Sequence, residues 1–174
     1  RLRRHAGRAV YRVVRGPELN AFSAPGGYIF ITEGLLDALE DDPSRISFVL
    51  GHELAHGELG PSSDKIRYRT WLEKFHVPGA GLAQLLRELA ALSYSETHEL
   101  EADALALNLL AASDLRLSAC IEAMERIPQR RREPSAAHRD PASLVFEALA
   151  DYFHTHPGRR ERLDRLRELV GQRT

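Results

Sequence analysis

His52-Glu53-Leu54-Ala55-His56 sits inside an apolar-periodic stretch, and that placement constrains the chain more than any other feature. Ile46, Val49, Leu50 and Leu54 recur at helical spacing. Asp42-Pro43 ahead of them reads as an N-cap followed by proline at the first helical position, and Gly60-Pro61 as a stop. The two histidines therefore lie well inside a helix. Residues four apart share a helix face, so both imidazoles can reach one Zn²⁺ at about 2.0–2.1 Å. Glu53 points to the side of such a metal, where a bound water sits. The bland alternative is an amphipathic helix carrying two unrelated histidines.

A third ligand is available 43 residues after His56, in His98-Glu99-Leu100-Glu101-Ala102-Asp103. Glu99 and Asp103 are four apart and share a face. One carboxylate can bind the metal while the other, a turn later, accepts the outer N–H of a ligating histidine, the arrangement that fixes ring tautomer and orientation. Glu101 lies about 200° round the helix from Glu99 and cannot share its role. His98, about 100° away, is a weaker rival.

Composition narrows the classes. The chain has 174 residues, 43% hydrophobic and 28% charged, which is the balance of one ordinary globular domain with a sizeable core. A net charge of −1 argues against a nucleic-acid partner held by bulk charge. No apolar run is long enough to span a bilayer. The single cysteine, Cys120, excludes internal disulfides and a multi-cysteine zinc site, so a metal site is to be built from carboxylates and some of the eight histidines. The chain begins at Arg1 without a signal-like segment and reads as a piece of a longer protein.

The organisation is α+β and mostly α, with the β portion confined to residues 8–32. Val10, Val13 and Val14, then residues 19–22, then residues 28–32 form short apolar runs, and Pro25-Gly26-Gly27 between the last two predicts a hairpin. Helices are predicted over 34–40, the His52–His56 stretch, 62–75, 82–92, 96–112, 118–127, 142–153 and 158–170. Residues 128–141, with three prolines and Arg130-Arg131-Arg132, read as an exposed loop.

The HELAH and ELEAD pair resembles the gluzincin metallopeptidases of the CAAX prenyl protease type 1 and HtpX family. Further islands are similar to that family: Asn20-Ala21-Phe22, then Pro25 to Phe30, then Thr32-Glu33-Gly34-Leu35-Leu36, and Leu50-Gly51 before His52. Thr155-His156-Pro157, with Arg162 six residues after the histidine, resembles the family's closing motif. Two positions depart from the pattern: Glu96 stands where the family often has Arg, and Ala106 where it often has Gly. Neither is a proposed ligand, though Glu96 adds a negative charge one turn before Glu99.

The resemblance implies a zincin-like domain over residues 1–174, one Zn²⁺ on His52, His56 and Glu99, and Asp103 supporting a ligand. It implies Glu53 as general base, and His156 and Arg162 near the metal as stabilisers of oxyanion charge; alternatively His156 binds the metal itself and shuts the site. A polypeptide substrate would pair with an exposed sheet edge, at residues 20–23, which include Asn20, Ala21 and Phe22, or at residues 28–32. The implied activity is endoproteolysis of unfolded or misassembled proteins, with a periplasmic or membrane-associated parent. The rival is a chaperone-like binding module with a latent or structural metal site; Glu53 argues against it, since a structural site needs no carboxylate beside the water position.

Overall fold

A computed structural model describes residues 9–24, 27–59, 95–127, 156 and 158–173. The helices expected over 62–75, 82–92 and 142–153, and the loop over 128–141, lie outside the described residues. What is described is a mostly helical α+β domain in the order β1 (Val10–Val14), β2 (Ala21–Ala24), β3 (Tyr28–Thr32), α1 (Glu33–Ala38), α2 (Pro43–Leu59), α3 (Glu96–Ala112), α4 (Ala119–Arg126) and α5 (Arg159–Gly171).

The three strands form one sheet in the spatial order β1-β3-β2. The hairpin expected around residue 26 is present: β2 pairs antiparallel with β3, Ala21 opposite Ile31 and Phe22 opposite Phe30. β1 pairs with the far side of β3 in parallel, Val10 opposite Tyr28. Among the described residues β2 is thus an edge strand, whereas residues 28–32, the other expected edge, form the central strand because β1 covers their far side. Strand residues alternate between faces. Ala21, Ile29 and Ile31 are buried, Ala21 and Ile31 against Phe48 and Val49 of α2. Phe22, Phe30 and Tyr28 lie on the opposite face, with Phe22 stacked on Phe30 at 5.0 Å and Phe30 on Tyr28 at 6.3 Å between ring centroids.

α1 starts one residue earlier than expected, at Glu33, because Thr32 ends β3 and caps the helix in the same stroke. Its Oγ1 accepts from the Leu35 N–H at 3.4 Å and from the Asn20 N–H at 3.1 Å, and donates to Glu18 O at 2.6 Å. A threonine before an acidic first turn was the available signal. α2 begins as expected, with Asp42 Oδ1 accepting from the N–H groups of Ser44 and Arg45, both at 3.0 Å. Ser95 caps α3 by accepting from the His98 N–H at 3.3 Å.

The core runs between the sheet and the helices, joining Leu35, Leu39, Phe48 and Val49 to Leu107, Leu110, Met124, Ile127 and Leu166. Among the described residues α2 and α3 form its most extensive contact. At their crossing, Gly51 meets Ala106; a Cβ at residue 51 would stand 3.5 Å from the Ala106 Cβ. These two small residues let the helix backbones approach closely, immediately beside His52 and one turn after Asp103.

Candidate metal centre

His52 and His56 project from the same face of α2, as their spacing requires, and their rings meet edge to face with centroids 4.5 Å apart. The Nε2 atoms are 2.9 Å apart. Glu99 enters from α3, with Oε1 3.0 Å from His56 Nε2 and Oε2 3.3 Å from His52 Nε2. His156, just ahead of α5, adds Nδ1 at 3.3 Å from His52 Nε2 and 3.2 Å from Glu99 Oε1. One donor atom from each of these four residues falls within 4.8 Å of every other, and all four residues are buried. Two imidazole nitrogens converging with a carboxylate on one point is the donor set of a zinc site.

The residues that support this group are also in place. Asp103 Oδ1 lies 2.8 Å from His52 Nδ1, the ring nitrogen turned away from the centre. Arg162, from α5, donates through Nε to Asp103 Oδ2 at 2.7 Å, through Nη2 to Asp103 Oδ1 at 2.8 Å, and through Nη1 to Glu99 Oε2 at 2.6 Å. All three guanidinium nitrogens therefore face carboxylates of the site's own framework. Geometry of this kind orients ligands; the stabilisation of oxyanion charge that the resemblance implies for Arg162 would be additional to it. Gly158, at φ +79°, makes the turn between His156 and α5 that allows both residues to reach the same group.

Glu53 faces inward beside them. It is 1% exposed, and its Oε1 lies 3.3 Å from His156 Nε2, near enough for an ion pair but without an aligned hydrogen bond among the described residues. The backbone N–H of Ser23, on strand β2, faces the same carboxylate and favours its ionised form. Residues 20–23 are an expected sheet edge, but nothing local in the chain says which of them comes alongside α2. Of the expected substrate-binding residues, Ala21 is buried toward the core and Phe22 is on the opposite face. Asn20 is buried, its main chain paired with Thr32 and its Oδ1 without a hydrogen bond among the described residues.

Burial and charge set the proton affinities. Burial pushes the Glu53 carboxyl up to about 8, aided by Glu99 and opposed by His52 and the Ser23 N–H. Burial and Arg162 pull His52 down, but Asp103 and Glu99 outweigh them and hold it at about 9. Burial lowers His56 to about 4 and His156 to about 3 despite the neighbouring Glu99. Burial opposes ionisation of Glu99, yet hydrogen bonds from the three histidines hold its carboxyl well below the ordinary range. Two buried carboxylates, Glu99 and Asp103, face the one buried guanidinium of Arg162. Metal ligation requires neutral imidazoles, and with those the two carboxylates exceed the guanidinium by one negative charge, which favours a cation at the centre. The residues fit zinc in donor type, convergence and charge.

Comparison with known proteins agrees. The model of peptidase family M48 matches residues 3–170. The mitochondrial metalloendopeptidase OMA1 of Bos taurus is 30% identical over 183 residues, covering 94% of this chain and 32% of the relative. The mitochondrial metalloendopeptidase OMA1 of Arabidopsis thaliana is 28% identical, covering 86% of this chain and 29% of its own length. The metalloprotease LoiP of Escherichia coli K12 is 23% identical, covering 91% of this chain and 61% of LoiP. The chain therefore spans about a third of the length of the OMA1 relatives named here.

Proposed function

The chain belongs to peptidase family M48 and carries a zinc metallopeptidase domain, and on that premise we propose that it is an endopeptidase acting on extended, unfolded or misassembled polypeptides. The observation that carries this reading is Glu53, buried and inward-facing beside four converging donor atoms. In this reading residues 1–174 are one catalytic domain, which the match over 3–170 supports. The ordered motif islands favour a catalytic domain of the CAAX prenyl protease type 1 and HtpX kind. We place the parent protein at a membrane or in the periplasm on the same resemblance; among the described residues no helix is long and apolar enough to cross a bilayer.

His52, His56 and Glu99 would hold the ion, and Asp103 and Arg162 would keep those ligands in register. Bound zinc supplies a Lewis acid that polarises the scissile carbonyl and lowers the pKa of a water at the site. Glu53 takes a proton from the attacking water on its carboxylate and later returns it to the leaving amine nitrogen. Its raised proton affinity suits both halves of that task. The substrate backbone pairs with the outer edge of β2, the strand that packs against the helix carrying Glu53. Casein cleavage by the zinc-loaded protein tests the reading. Activity should vanish with a chelator and return with added zinc; a protein that holds zinc yet cuts nothing would end it, unless His156→Ala restores cutting.

That exception rests on a particular contact. With His156 Nδ1 among the donor atoms, the group offers four protein ligands, the number of a closed zinc site, whereas catalysis needs an open position. A latent resting state is the second reading. His156→Ala is then expected to weaken zinc binding and raise the rate of casein cleavage. A slower rate with zinc affinity unchanged would instead make His156 a stabiliser of the oxyanion.

A further inference from the structure

Among the described residues nothing in the fold requires glycine at position 57. Elsewhere the lack of a side chain is enforced: a Cβ at Gly34 would stand 2.4 Å from the Pro17 carbonyl oxygen, and Gly158 has φ +79°. Gly57 lies inside α2 with ordinary helical backbone, and a Cβ there would meet nothing within 4 Å. It is exposed. Glycine inside a helix is less stable than alanine, so this position gives up stability and gains no contact within the fold.

Its place beside the metal centre supplies a reason. Gly57 follows His56 and stands four residues after Glu53, on the same face of α2 and about 6 Å further along the helix axis. Glu53 is 1% exposed and His56 4% exposed, whereas Gly57 opens to solvent. The face of α2 that carries Glu53 therefore passes from closed to open within one turn, next to a metal-binding histidine. A polypeptide that reaches Glu53 along this face crosses Gly57 on the way. An extended chain advances about 3.3 Å per residue, so the substrate residue over Gly57 is about two residues from the one at Glu53. A side chain at position 57 would rise into that path.

We propose that Gly57 is the bare floor of the substrate groove at its mouth, and that it admits a large substrate side chain, charged or apolar alike, about two residues from the cleaved bond. The inference rests on the peptidase reading and adds to it a size tolerance set by the active helix, which strand pairing cannot give. Gly57 is the specificity-determining residue.

The test uses the full zinc-loaded chain, Gly57→Ala and Gly57→Leu, both better helix formers than glycine. Their midpoints in urea unfolding should equal or exceed that of the unaltered chain. Cleavage is followed on internally quenched peptides of one fixed sequence, in which a single residue is Ala, Leu or Arg at each successive position around the cut. At one position about two residues from the bond, Gly57→Leu should lower kcat/KM for the Leu and Arg peptides about 10-fold more than for the Ala peptide. Gly57→Ala should act in the same direction and less. Stability kept or gained while large residues are rejected is a combination that a merely structural glycine would not produce. An unchanged size profile in both variants, or equal slowing of all three peptides, overturns the proposal. So does a lower midpoint for Gly57→Ala, which would mean that the fold has no room for the added Cβ. Binding of the same labelled peptides to zinc-loaded Glu53→Gln, followed by fluorescence anisotropy, separates the proposal from the reaction. If adding Gly57→Leu to that variant weakens binding of the Leu and Arg peptides more than of the Ala peptide, the floor is supported even if the unaltered chain cuts nothing, the result that ends the peptidase reading. An unchanged size profile with cleavage intact overturns the floor alone, and neither binding nor cleavage overturns both.

Discussion

Glu53→Gln is expected to retain stoichiometric zinc and to cleave casein about 10²–10⁴ times more slowly than the unaltered chain. Glutamine preserves the shape of the side chain, so the packing of α2 against β2 survives. It cannot take a proton from water. Because Glu53 is not among the four converging donors, the loss should fall on turnover and leave metal content untouched. Zinc measured by mass spectrometry beside the cleavage rate decides the matter. Lost zinc would make Glu53 a ligand, and retained activity would remove it from the proton transfer.

Arg162→Met should carry the largest stability penalty at the site, about 3–5 kcal/mol, measured as a lower midpoint in urea unfolding. The guanidinium is 1% exposed and makes paired hydrogen bonds to Asp103 while holding Glu99 Oε2. Removing it leaves the Asp103 carboxylate buried beside Glu99 without its cation. Lysine can restore the charge but lacks the planar fork, so Arg162→Lys should recover only part of the loss. Combining Arg162→Met with Asp103→Leu should cost less than the sum of the two single changes, because the second substitution removes the carboxylate the first one stranded. Additive losses would show that Arg162 and Asp103 act independently, contrary to the distances between them.

The contrast between Glu53 and Arg162 marks how much the sequence could disclose. His52, Glu53 and His56 were legible because helical spacing alone puts two of them on one face, and Asp42-Pro43 announces the helix that carries them. Glu99 and Asp103 were legible for the same reason, four residues apart behind the Ser95 cap. His156 and Arg162 had no such support. They lie 104 and 110 residues from His52, and only the resemblance of a short closing motif drew attention to them. Even then, the direction of the guanidinium depends on how α5 packs against α3, which no local pattern encodes. The sheet divides similarly: the turn residues announced the β2–β3 hairpin, whereas the parallel pairing of β1 with β3 is a long-range choice.

The separation of His52 from His156 has a thermodynamic meaning of its own. An ion held by both, and by Glu99 between them, would cross-link the chain across a span of 104 residues. A bond that closes so long a loop removes many conformations from the unfolded ensemble, as a disulfide does, in a chain whose single cysteine cannot form one within it. Because a folded site binds the metal and an unfolded chain scarcely does, folding and metal affinity become one linked equilibrium. Heating the metal-loaded protein would then release zinc and unfold α5 in a single concerted step, and free zinc concentration would act as a thermostat on the domain's lifetime.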